Sequence, residues 1–121
     1  MWNEVVMNNS VQSLKVHVTG LEEPMRHELS DALRSISCHL TDEPRSADIV
    51  FCGWDPNEVS KRISAYGCKP VVIVSRLPDV SGWLDALEAG AVDYCASPFE
   101  PVQLRWILEA HLRGKVRRAA A

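Results

Sequence analysis

The sequence predicts an α/β domain, a five-stranded parallel sheet with helices on both faces. Three observations carry that prediction. Strand-like and helix-like segments alternate along the chain, the pattern of parallel strands joined by right-handed crossovers. Two strand candidates, DIVFC (48–52) and PVVIVS (70–75), are unbroken apolar runs, as strands buried on both faces require. The chain has 121 residues, 46% hydrophobic and 24% charged, which suits one compact domain with a core that needs no metal or disulfide staples.

Each element follows in order. Residues 1–13 (MWNEVVMNNSVQS) form a weakly patterned N-terminal arm, whose Trp2, Val5, Val6 and Met7 either dock on the domain or stay loose. The first strand is LKVHVT (14–19), with Leu14, Val16 and Val18 on one face, and Gly20 ends it. A helix runs from Glu23 to Ser37, where Leu29, Ala32, Leu33 and Ile36 recur at helical spacing. Glu22, Glu23 and Pro24 suit its first turn, since acidic groups meet the positive end of the helix dipole and proline there loses no hydrogen bond. Cys38–Thr41 is a short strand candidate, and DEPRSA leads from it straight into DIVFC, so the second crossover helix is shortened or missing. Gly53 closes that strand. A short helix from Asn57 to Tyr66 stops at Gly67, PVVIVS is the clearest strand, and a helix from Val80 to Ala89 stops at Gly90. Val92–Ala96 is the fifth strand, and Glu100–Arg113 is the last helix, with Leu104, Ile107, Leu108 and Leu112 as its apolar stripe. The domain proper is therefore 14–113. Residues 114–121 are a tail whose Lys115, Arg117 and Arg118 read as a solvated helix end or linker rather than a DNA contact.

Composition excludes several classes of function. A net charge of −3 gives no electrostatic reason to expect nucleic-acid binding. No apolar run has the length of a membrane span and the N-terminus lacks a signal-peptide layout, so a cytoplasmic location is expected. Cys38, Cys52, Cys68 and Cys95 are widely spaced without a C-x-x-C pair, which favours buried reduced thiols over a ligand set. His27, His39 and His111 show no metal-ligand pairing, and His17 reads as a core or crevice residue.

In a parallel sheet the functional groups gather beyond the carboxyl ends of the strands, here Thr19 and Gly20, Gly53 to Asp55, Ser75 and Arg76, and Ser97 and Pro98. The stretch PVVIVSRLPDVSGWLDALEAGAVDYCASPFEPVQL resembles the receiver domain of bacterial response regulators. The matching pieces are the proline-led strand ending in Ser75, LEAGA (87–91), Tyr94, and Ser97-Pro98-Phe99, in order and at matching spacing. The resemblance implies a flavodoxin-like three-layer sandwich. It further implies a phosphoacceptor aspartate at a strand end, an acidic pair holding magnesium, a lysine before Pro-Phe, and a switch made of a hydroxyl and an aromatic ring. In this sequence the acceptor position is Gly53 and the lysine position is Ser97. The acidic pair falls on Thr19 and Gly20, or on Leu21 and Glu22, depending on the alignment. Ser75 and Tyr94 match the switch positions. The resemblance is thus to a degenerate receiver, a pseudo-receiver, with no catalytic residue and no enzyme activity.

Several residues keep two readings. Asp55 is either a replacement acceptor or, with Pro56 and Asn57, a turn opening a helix. Glu22 and Glu23 either hold a residual, weak magnesium site or serve the helix start. Ser75 and Tyr94 are either switch residues or sheet-end packing. Trp83 and Trp106, on the last two helices, are either core or the centre of a contact surface. The expected function is a phosphorylation-independent regulatory module without a cofactor. It would act on a protein partner or output domain, or as a homodimer through the last two helices and the fifth strand. The alternatives are a working phosphoacceptor that uses Asp55, and a small-ligand sensor that uses the vacated strand-end crevice.

Overall fold

The computed structural model describes residues 14–76 and 80–112. Its elements are β1 (Lys15–Thr19), α1 (Glu23–Ser35), β2 (His39–Leu40), a 3-10 turn (Pro44–Ser46), β3 (Ile49–Gly53), α2 (Val59–Ala65), β4 (Val71–Ser75), α3 (Val80–Glu88), β5 (Asp93–Ala96) and α4 (Pro101–His111). The five strands are all parallel, in the order β2-β1-β3-β4-β5. This is the flavodoxin-like sandwich, and in place of the second helix stands the single turn Pro44–Ser46. The N-terminal arm and the basic tail lie outside the described residues.

The two helical layers bury different sets of side chains. α1 and α4 cover Leu14, Val16, Ile49, Phe51, Val72 and Val74 with Leu29, Leu33, Leu104 and Leu108. α2 and α3 cover a smaller set, Val50, Cys52, Val71 and Ile73, with Val59 and Ala86. β3 and β4 thus present apolar side chains to both faces, as their unbroken runs predict. β1 differs: Val16 is buried while Lys15 is exposed and His17 and Thr19 are half-buried. That polar face is where the missing helix would sit. Lys69 instead ties the 3-10 turn down, its Nζ donating to the Ala47 and Arg45 carbonyls at 2.6 and 3.1 Å. His17 donates from Nδ1 to the Thr41 carbonyl at 3.0 Å and lies beside the Tyr66 ring, so it is a crevice residue.

Helix ends differ from the sequence expectation for local reasons. α1 stops at Ser35, because Ser37 adopts a left-handed φ of 68° that a helix cannot continue through. α2 starts at Val59 rather than Asn57, because Pro56–Glu58 form a turn and the Asp55 carbonyl accepts the Val59 N–H at 2.9 Å. α4 covers Pro101–His111. β3 extends through Gly53, so this glycine belongs to the sheet rather than ending it.

Three cysteines, Cys38, Cys52 and Cys95, are buried free thiols, and Cys68 is exposed, contrary to the expectation that all four are buried. The reason is its place after Gly67, in the turn that follows α2 rather than on an apolar strand.

Candidate functional site: the strand-end crevice

The carboxyl ends of β1, β3 and β4 meet in a crevice of about 350 Å³, walled by Gly20, Leu21, Met25, Gly53, Trp54 and Val74, with Glu22, Ser75 and Arg76 at its edge. Sheet pairing sets this arrangement. Gly53 stands beside Val74, the Trp54 N–H donates to the Val74 carbonyl at 2.9 Å, and the Ser97 N–H donates to the Ser75 carbonyl at 3.1 Å.

Gly53 lies against the turn that follows β1. A Cβ at this position would stand 2.0 Å from the Gly20 carbonyl oxygen, 2.8 Å from its carbonyl carbon and 3.1 Å from Leu21 Cδ2. Gly20 itself has a left-handed φ of 70°, a conformation that favours glycine. Arg62 of α2 lies over it, with Nη1 2.8 Å from where a Gly20 Cβ would be. The same guanidinium is 3.8 Å from Asp55 Oδ2, and the Cys52 thiol donates to the Gly53 carbonyl at 3.6 Å. Burial pushes the Cys52 thiol above its usual range, and the Arg62 guanidinium opposes that shift.

Asp55 is held in a turn. Its Oδ1 accepts the Asn57 N–H at 3.0 Å while its other oxygen faces Arg62. Glu22 pairs with Arg76 at 2.9 Å, both side chains exposed. Glu23 does not join it. It lines a separate groove on the other side of α1, with Arg26, His27 and Asp42. Glu22 and Glu23, the candidate residual metal ligands, thus line two different pockets. Among the described residues no three His, Cys, Asp or Glu side chains gather as a metal site.

Ser97 turns toward α1. Its hydroxyl donates to both carboxylate oxygens of Glu28, at 3.0 and 3.2 Å, and the Phe99 N–H donates to Glu28 Oε2 at 3.1 Å. The Ser97–Pro98 peptide bond in this loop is cis. Ser75 is half-buried at the end of β4, and Tyr94 packs against the α2–α3 layer. Trp83 and Trp106 lie away from the crevice, 43% and 67% exposed, so neither ring is core. Leu84 and Leu87 accompany Trp83 on α3, and Val102 accompanies Trp106 on α4.

Arg62 and Glu28 are site residues that the sequence reading does not single out, whereas Arg76 is among the strand-end residues it names. Glu28 left a faint signal, a carboxylate between Met25 and Leu29 on the border of the buried stripe. Arg62 left none, because its role depends on which loops the topology brings together.

No protein-family model matches the chain. The "Probable transcriptional regulator ycf27" of Galdieria sulphuraria is 30% identical over 128 aligned positions, covering 93% of this chain and 49% of that protein. The chain thus spans about half the length of this curated relative. Among solved structures, a putative response regulator from Chloroflexus aurantiacus superposes with a TM-score of 0.68 at 18% identity, over 84% of this chain and 98% of that one. Full-length FixJ from B. japonicum gives a TM-score of 0.66 at 24% identity, over 87% of this chain and 60% of that one. The chain has the fold of response-regulator receiver domains.

Proposed function

We propose that this receiver-fold domain is a regulatory module of two-component signalling that works without phosphorylation and acts through protein contact. One observation carries the reading. Among the described residues, the crevice does not bring a carboxylate nucleophile, a cation and a metal shell together. Gly53 has no side chain, Ser97 is committed to Glu28, and Glu22 is committed to Arg76. Phosphoryl transfer to a carboxylate needs a nucleophile and a divalent cation placed together, since positioning and charge supply most of the rate. On this reading the module needs no enzymatic step of its own and no cofactor.

Output passes through the side of the domain formed by α3, β5 and α4. Trp83, Leu84, Leu87, Val102 and Trp106 leave large apolar area in water there. Tryptophans in such a position are the residues that dominate binding energy when a partner covers them. A second copy of the chain is the occupant to test first, and an output domain is the other. The full-length FixJ structure and the double-length relative both carry chain beyond the part matched here, which supports a linked output domain.

Incubation with magnesium and acetyl phosphate, read by intact mass, tests the reading directly. The expected result is no added phosphoryl mass. One added phosphoryl group, lost in Asp55→Asn, would establish the Asp55 alternative and overturn this one. The crevice walls of Leu21, Met25, Trp54 and Val74 favour a second reading as a small-ligand sensor. A melting-temperature shift with a metabolite, abolished by Trp54→Ala, would support it.

A further inference from the structure

The turn after β1 does more than lack an acidic pair. At φ 70° Gly20 folds its carbonyl back onto β3, where the oxygen occupies the space a side chain at position 53 would need. A separation of 2.0 Å is far inside van der Waals contact, and the obstructing atom is backbone, so no rotamer change relieves it. Arg62 then lies against Gly20, its Nη1 2.8 Å from where a Gly20 Cβ would be and its Nη2 3.8 Å from Asp55 Oδ2. Both positions call for glycine: Gly53 because a Cβ would meet the Gly20 carbonyl, and Gly20 because of its own left-handed φ and the Arg62 guanidinium against it.

We infer that the β1–α1 turn is a built-in plug, in which Gly20 fills the acceptor pocket at Gly53 and Arg62 holds it shut against any phosphoryl group or divalent cation. The inference rests on the phosphorylation-independent reading and deepens it. The pocket is closed by backbone, so restoring a carboxylate does not restore the site. The resident guanidinium also supplies, from within the chain, the positive charge that a bound cation would bring.

The test compares Gly53→Ala, Gly53→Asp and Arg62→Gln with the wild-type chain. Gly53→Ala adds one methyl group, and its melting temperature is expected to fall by more than about 5 °C. Gly53→Asp is expected to fall further and to gain no phosphoryl mass from acetyl phosphate with magnesium. Arg62→Gln is expected to melt within a few degrees of wild type while the amides of residues 19–22 exchange at least about tenfold faster, with Val72 and Ile73 unchanged. If Gly53→Asp does not fold, the other two variants still decide the matter. A Gly53→Ala protein that melts with the wild type overturns the plug, as does a folded Gly53→Asp protein that takes up phosphate. So does an Arg62→Gln protein with unchanged exchange at residues 19–22. Phosphorylation of wild-type Asp55 alongside a destabilised Gly53→Ala would instead overturn the phosphorylation-independent reading and leave the plug standing.

Discussion

At the scale of single residues, Glu28 shows how a receiver-like loop is held without its lysine. Its carboxylate accepts the Ser97 hydroxyl and the Phe99 N–H at once, pinning the β5–α4 loop to α1. Hydrogen bonds to a charged acceptor are the stronger kind, and truncation leaves a part-buried N–H without its partner. Glu28→Ala should therefore lose about 1–3 kcal/mol in urea unfolding, and Glu28→Gln less, because an amide oxygen still accepts. Equal stability of wild type and Glu28→Ala would remove the clamp from the account. The buried thiols make a separate prediction. Burial pushes Cys38 up to about 11 and Cys95 up to about 12, against an ordinary thiol value of 9.0. Both stay protonated in the folded state where the unfolded chain has already lost those protons. The unfolded state then binds fewer protons, so stability must fall as pH rises from about 9 toward 11 or 12, and be unaffected by these groups below pH 9. The slope is on the order of 1 kcal/mol per pH unit for each thiol. Melting curves across that range, with Cys38→Ala/Cys95→Ala as control, check it. The double variant should be less stable at pH 7 yet lose less on going alkaline, and parallel losses would refute the assignment.

At the scale of elements, the pattern of each strand already tells which helices exist. β3 and the Val71–Val74 stretch of β4 are apolar and covered on both faces, while β1 alternates, with Lys15, His17 and Thr19 facing the side that lacks a crossover helix. The missing helix and the alternation of β1 are one fact seen twice, and both were legible in the sequence. The roles of α3 and α4 were only partly legible. An apolar stripe marks the buried face of α4 as Leu104, Ile107 and Leu108, but periodicity alone leaves Trp106, next to Ile107, as either core or surface. Packing decides it. The ring is 67% exposed while Leu108 is fully buried. The two should respond oppositely to truncation. Leu108→Ala leaves a cavity and costs about 2–5 kcal/mol of folding stability. Trp106→Ala should cost less than about 0.5 kcal/mol of folding stability, the usual range for an exposed site away from special features. If α4 carries the contact surface, Trp106→Ala should also weaken concentration-dependent self-association, read as mass by light scattering, by tenfold or more. A Trp106→Ala protein that melts like Leu108→Ala and keeps its association would show the ring to be core.

At the scale of the whole molecule, the fold was legible because it depends on repeated patterns, and the site was not because it depends on encounters between loops far apart in sequence. Gly53 and Ser97 could be placed by their spacing from recognisable motifs. That Gly20 closes on Gly53, that Arg62 covers Gly20 and that Glu28 takes Ser97 follow only from the strand order β2-β1-β3-β4-β5, which brings those turns together. The same topology makes the two layers unequal. The α1–α4 side buries long side chains from four strands under helices spanning Glu23–Ser35 and Pro101–His111. The α2–α3 side has the smaller cluster, and α2 covers only Val59–Ala65, with Val59 its one buried residue and no side-chain cap at its N-terminus. A short helix gains little from its own hydrogen bonds, so its stability comes from the face it packs, and here that face is narrow. Local opening free energies follow such differences in burial, from near zero up to the global value. Hydrogen exchange of the native chain should therefore be uneven across the sheet. Amides of α2 should exchange at least about a hundredfold faster than those in the interior of α1, with β3 and β4 the slowest of all because both layers protect them. Arg62 projects from this less stable helix, so the lid of the crevice should open with α2 while the sheet beneath stays closed. Equal protection of α2 and α1 would mean that the smaller layer is held by more than the contacts described, and that Arg62 leaves the crevice only when the whole domain unfolds.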